Sequence, residues 1–253
     1  MKKFFSISFL NFLETAKDKF FFGIIFFFIF YLAFCIFLGK LSVGHADKVL
    51  RDAGLAGIEL SAIILIVFSF VLNFFREKEN RILEVYLSNV SRSTCISGKI
   101  AGYILLSFFY LCFSALGFGA ALWLYNSFTK AVFLAVYFIF LKTAIIIGFA
   151  ALFSCLFSSA VLALLCTLFV YIGSEMLPSA VSIIEAYGNN VQKIFVKALY
   201  LFLPNMDKID IKALAVYGKF PTWEQISWIT FYCLLYTLFL WLINLFIFRR
   251  KEY

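Results

Sequence analysis

The stretch AVFLAVYFIFLKTAIIIGFAALFSCLFSSAVLALLCTLFVYIGS, Ala131 to Ser174, decides the fold, because it carries a single charge, Lys142, in a run too long for one membrane crossing. An α-helix rises about 1.5 Å per residue and a bilayer's hydrocarbon core is about 30 Å thick, so one straight helix here would be about twice that depth. The chain must turn back. SCLFSSA, Ser154 to Ala160, supplies the hydroxyls that favour a turn, which predicts spans from Ala131 to Phe153 and from Ala160 to Met176.

Four further apolar runs of spanning length flank this pair: Phe20 to Gly39, Ala53 to Phe75 with Glu59 near its start, Gly102 to Tyr125, and Ile226 to Phe248. Of the 253 residues 64% are hydrophobic and 14% charged, with a mean hydropathy of +0.99, which excludes an ordinary soluble domain. The runs are continuously apolar rather than alternating, which excludes a membrane barrel. The expected fold is an all-α integral membrane protein, one transmembrane domain over residues 1–253 with six transmembrane helices.

Lysine and arginine placement predicts orientation. Twelve of them fall in the N-terminal tail, in residues 76–99 and in the C-terminal tail, against nine on the opposite side. Both termini are therefore expected in the cytoplasm, with residues 177–225 as an extracytoplasmic loop of a multi-pass protein in the cytoplasmic (inner) membrane. The opening MKKFFSISFLNFLETAKDK is interrupted by Asn11, Glu14 and the Lys17–Asp18–Lys19 cluster, so residues 1–19 read as an amphipathic helix on the cytoplasmic surface, not a cleaved signal. In the outer loop, Val191, Ile194, Phe195, Ala198, Leu199 and Phe202 recur at helical spacing, Gln192, Lys193 and Lys197 take the other face, and Pro204 ends the run. That predicts a helix on the outer surface or capping the spans. All six cysteines lie in spans or on the cytoplasmic side, so no disulfide framework is expected.

The chemistry-bearing motifs are few. Neither Gly39–Lys40 nor Gly98–Lys99 has the upstream glycine and following hydroxyl of a phosphate-binding loop, and neither H-E-x-x-H nor G-x-S-x-G occurs. The lone histidine, His45, sits in a polar loop without a Cys or His neighbour to share a metal. No catalytic residue and no metal site is expected. Lys142 is more informative, since it lies about 17 Å of helical rise inside its span, where a charge must face protein or water. Two readings stand: a translocation path lined by Lys142, Glu59 and Glu175, in which the lysine meets anionic cargo, or a structural ion pair with Glu59 or Glu175.

Between the second and third spans, residues 76–99 pack charge densely. Drawn on one helix, Glu77, Arg81, Glu84 and Ser88 form a polar stripe, and Ile82, Leu83, Tyr86, Leu87 and Val90 cover the other face. This is an amphipathic cytoplasmic helix, either a plain connector or a docking element for a soluble partner.

The segment REKENRILEVYLSNVSRSTCISGKIAGY, Arg76 to Tyr103, resembles the region after the second span of type-2 ABC exporter permeases, where a charged cluster, a T-L-E-x-L-L-like helix, a turn with S-R and then G-K precede the third span. The N-terminal surface helix, six spans, the serine-bearing hairpin, the outer LPNMDKIDIKALAVYG (Leu203 to Gly218) and the closing FIFRRKEY (Phe246 to Tyr253) are similar to that family in the same order. The chain departs from the pattern at Arg81–Ile82, where Gly-Thr is common, and at Asn89–Val90, where a proline is common. The resemblance implies a permease homodimer in the lipid bilayer, bound to two copies of a separate cytoplasmic ABC ATPase. ATP and Mg would sit on that partner, with no cofactor on this chain and no nucleic acid involved. Glu77, Arg81, Ile82, Leu83, Glu84 and Leu87 would form the ATPase-docking coupling helix. The alternative is an ion-coupled secondary transporter using Lys142, Glu59 and Glu175 as a relay; no internal repeat is visible in the spans to favour it. A membrane-embedded enzyme lacks its catalytic constellation here, and a passive scaffold needs none. The cargo is not legible.

Overall fold

The computed structural model describes residues 2–41, 46–187 and 189–250; His45 lies outside them. Among the described residues every regular element is helical: α1 (Lys2–Ala16), α2 (Lys19–Leu41), α3 (Ala46–Glu79), α4 (Ile82–Asn89), α5 (Arg92–Leu124), α6 (Ala131–Leu156), α7 (Ala160–Tyr187), α8 (Asn190–Phe202), α9 (Met206–Ile209), α10 (Lys212–Val216) and α11 (Trp223–Arg250). Six of them, α2, α3, α5, α6, α7 and α11, are long and apolar enough to cross a membrane. The protein is an all-α multi-pass membrane protein.

The turn expected within Ser154 to Ala160 is there, with α6 ending at Leu156 and α7 beginning at Ala160. Other boundaries differ from expectation. The 34-residue α3 and the 33-residue α5 run well past the spans read as Ala53 to Phe75 and Gly102 to Tyr125, because their charged ends find partners within the protein. The expected outer loop of residues 177–225 begins later, since α7 continues through Pro178 to Tyr187. Proline costs that helix one hydrogen bond but does not end it.

Helix α6 is the hub, packed against α3, α5, α7 and α11. Its crossing with α11 is close: a Cβ at Gly148 would lie 2.9 Å from Leu240, and Asn244 donates to the Gly148 carbonyl at 3.0 Å. Small residues permit such approach where tails and helices are equally apolar and packing alone drives association. Outward, Phe22, Phe26 and Phe30 of α2 and Phe239 and Phe246 of α11 are exposed, as lipid-facing side chains must be.

Helix α1 packs on the start of α5, where Gly98 and Gly102 open a groove; a Cβ at Gly102 would meet the Ser8 carbonyl oxygen at 2.7 Å. Its buried stripe is Ile7, Ser8, Asn11 and Thr15, while Phe5, Phe9 and Leu10 face outward. Asn73 of α3 donates to the Thr15 and Tyr103 hydroxyls, and Tyr103 donates to the Ser69 carbonyl, so one polar network joins α1, α3 and α5. In α8, Val191 and Ile194 of the apolar face read from the sequence point outward and Val196 is buried; the side chains of Phe195, Lys197, Ala198 and Phe202 lie outside the described residues.

The segment after Pro204 is the least expected part of the fold. Instead of lying in solvent, α9 and α10 pack against α3, α6 and α7, burying Met206, Ile209, Ile211, Ala215 and Val216. They plug the end of the bundle remote from α4.

Candidate functional site: a buried charge cluster and a clamped connecting helix

Lys142 of α6 is 1% exposed and donates to three carboxylates: Glu59 Oε1 of α3 at 3.1 Å, Glu175 Oε1 of α7, and Asp210 Oδ2 of the plug at 3.3 Å. An ammonium has three N–H donors, and all three are used. Lys212 of α10 donates to Glu59 Oε2 and, at 2.9 Å, to Asp210 Oδ2, while the Tyr171 hydroxyl donates to Glu59 Oε1 at 3.2 Å. Three carboxylates thus meet two ammonium groups, leaving one formal negative charge. The cluster has a dry floor and a wetter rim: Glu59 is 1% exposed, whereas the Glu175 side chain is 26% and the Lys212 side chain 22% exposed.

The plug residues show the electrostatics of this arrangement. Burial pushes the Asp210 carboxyl up, but Lys142 and Lys212 outweigh burial and hold it below the usual aspartate range. Burial pulls Lys212 down, and Glu59 and Asp210 reverse that to raise it above the usual lysine range. Both plug charges are therefore fixed at neutral pH.

A second cation secures the plug. Arg51 of α3, itself buried, donates to the Val216 carbonyl at the end of α10 at 2.8 Å and to the Ser127 carbonyl of the α5–α6 connection at 3.0 Å, and pairs with Asp47 at 3.3 Å. The structure brings Lys142, Glu59 and Glu175 together as the ion-pair reading expected, and adds Asp210, Lys212 and Arg51, which the sequence does not single out. The available signal was NMDKIDIKALAV, Asn205 to Val216, where apolar residues recur too densely around Asp210 and Lys212 for a solvated loop.

At the opposite end the expected coupling helix is shorter than drawn. Helix α3 stops at Glu79 and Arg81, at φ 55°, turns the chain through the left-handed region into α4. This corrects two expected docking residues. Glu77 belongs to α3, is buried, and pairs with Lys99 of α5, so it is not on a partner-facing stripe. Leu83 is 1% exposed and joins the bundle core, with Tyr86 and Leu87 partly buried beside it. Lys99 Nζ also lies 5.8 Å from the Tyr86 ring centre. The outward face is instead Arg81, Ile82, Glu84, Val85 and Ser88, with Ile82 and Val85 the exposed apolar members.

The fold and these two sites define a six-span membrane protein with a charge-latched plug at one end and a clamped surface helix at the other. No family model matches the chain, and no curated protein matches it.

Proposed function

We propose that this chain is the permease subunit of an ATP-driven ABC exporter, working as a homodimer with two copies of a separate cytoplasmic ATPase. The observation that carries the reading is α4: held from within by Leu83, Tyr86 and the Glu77–Lys99 pair, it presents a mixed apolar and charged face between the second and third spanning helices. A helix attached this way to both α3 and α5 passes a push from a soluble motor to the bundle. The left-handed Arg81 stands where the resembled family commonly has glycine, the residue that such a backbone position favours.

In this mechanism ATP and Mg bind the partner and supply the work, and this chain converts it into helix movement. Displacing α4 tilts α3 and α5. Since α3 carries Glu59 and Arg51, the same movement pulls on the plug contacts at Asp210, Lys212 and Val216 and opens the far end of the bundle. Both termini lie in the cytoplasm, and the plug faces the outside of the cytoplasmic membrane.

The test is purification of the tagged chain from native membranes with a readout of vanadate-sensitive ATP hydrolysis. Val85→Asp and Glu84→Lys should lose the ATPase while the chain's own yield is kept, because rim and anchor residues act at the interface and not in the core. Full retention of hydrolysis in both variants would remove the support for a coupling helix.

One observation favours a second reading, the ion-coupled carrier: the cluster's surplus carboxylate offers a place where a proton or small cation balances charge. In that case transport would collapse with the ion gradient and persist without any ATPase.

A further inference from the structure

The plug has another face. Between the end of α8, α9 and the first half of α11 lies a cavity of about 440 Å³ lined by Tyr200, Leu203, Asn205, Lys208, Trp228 and Tyr232, a volume within the usual range for small-ligand sites. Its polar groups are pre-set by Asn205. The Asn205 side-chain amide donates to the Tyr200 hydroxyl at 2.7 Å, its backbone N–H donates to the Tyr232 hydroxyl at 3.2 Å, and its Oδ1 accepts from the Lys208 N–H at 3.2 Å.

Each phenol is thereby used as an acceptor, and its own O–H proton has no acceptor among the described residues. The Lys208 ammonium lies 5.8 Å from the Tyr200 ring centre and makes no salt bridge among the described residues. Two hydroxyl donors and one cation therefore converge on a place where the described residues offer them no acceptor. The remaining wall is apolar, with Leu203, Ile209 and Ile229, and Trp228 on the outward face of α11 is 65% exposed. Tryptophan and tyrosine at a helix end mark the level of lipid headgroups.

We propose that this cavity binds an anionic phospholipid from the surrounding leaflet, its phosphate taken by Lys208, Tyr200 and Tyr232 and its chains lying along Trp228 and Ile229. A free phosphate would gain nothing from the apolar wall, and a zwitterionic lipid brings its own cation to compete with Lys208. The site is independent of any ATPase, and its test is separate from that of the export reading.

The experiment uses the full chain in nanodiscs with Trp123, Trp223 and Trp241 changed to Phe, leaving Trp228 as the reporter. Phosphatidylglycerol brominated on its acyl chains should quench Trp228 more strongly than brominated phosphatidylcholine at equal mole fraction. Lys208→Gln should reduce that preference about fivefold, equivalent to ~1 kcal/mol, as expected for one lysine near an anionic headgroup, and Lys208→Arg should keep it. Tyr200→Phe with Tyr232→Phe should weaken it as well. Equal quenching by the two lipids, or a preference untouched by Lys208→Gln, overturns the proposal. Loss of the quenching on adding inorganic phosphate overturns the lipid assignment. Native mass spectrometry of the parent chain and Lys208→Gln gives the same comparison without the tryptophan substitutions: retained phosphatidylglycerol on the parent and its loss on the variant are expected, and equal retention contradicts the site.

Discussion

Lys142 of α6 and Glu59 of α3, 83 positions apart in sequence, meet at 3.1 Å with each side chain 1% exposed. Desolvating two charges costs several kcal/mol per ion, and only further hydrogen bonds make such burial tolerable. Here they are supplied: Glu59 also accepts from Lys212 and Tyr171, and Lys142 also reaches Glu175 and Asp210. The cluster ties α3, α6, α7 and the plug into one arrangement.

Lys142→Met removes the one cation that touches all three carboxylates. It should destabilise the protein by about 3–5 kcal/mol, the usual penalty for leaving a buried charge uncompensated. Adding Glu59→Gln should recover part of the loss. Thermal unfolding in detergent measures both, and a Lys142→Met protein as stable as its parent would mean that the cluster does not hold the bundle.

The pH dependence of the plug follows from the Asp210 and Lys212 shifts. Asp210 is depressed, so its contribution is present above the ordinary aspartate range and lost as pH falls through its lower folded value. Lys212 is raised, so its contribution is full below the ordinary lysine range and lost only as pH climbs through its higher folded value. The stability difference between the parent and Asp210→Asn should accordingly stay constant from about pH 5 to 8 and close only below pH ~4, where aspartate begins to protonate. A difference that vanishes already near neutrality would contradict the pairing.

Much of this fold was legible in the sequence because spanning helices announce themselves by length and apolarity. The turn near Ser154 to Ala160 followed from the excess length of one apolar run, and Lys142 stood out as a lone charge at depth. What escaped was set by tertiary context. Asp210 and Lys212 look like ordinary loop charges until α9 and α10 carry them back into the bundle. Glu77 and Leu83 seem to belong to a single helical wheel, but the left-handed turn at Arg81 breaks that wheel, leaving Glu77 buried on α3 against Lys99 and Leu83 buried on α4. Beside lipid, apolar residues such as Val191 and Ile194 of α8 gain nothing by turning inward, and both are exposed.

Topology is open to labelling. In a background without the native cysteines, Ser88→Cys on the exposed face of α4 should be shielded from a membrane-impermeant thiol reagent in intact cells, and Asn189→Cys before α8 should react. The reverse pattern would place α4 outside and remove any contact with a cytoplasmic motor.

Two neighbours on α4 separate folding from docking. Leu83→Asp buries an unpaired charge in the core, so it should lower the yield and unfold the α4 end of the bundle. Val85→Asp changes a side chain that is 63% exposed, so the yield should hold within the small range of surface substitutions. Equal loss of yield in the two variants would show that α4 has no free face.

The most direct test of the central claim is a photo-crosslinking amino acid placed at Val85, on the exposed face of α4, followed by purification of the adduct from native membranes. The account predicts a covalent adduct with an ATP-hydrolysing polypeptide, diminished by Glu84→Lys and absent when the crosslinker is moved to lipid-facing Phe30. Adducts with lipid alone, or an adduct whose partner neither binds nor hydrolyses ATP, would contradict it.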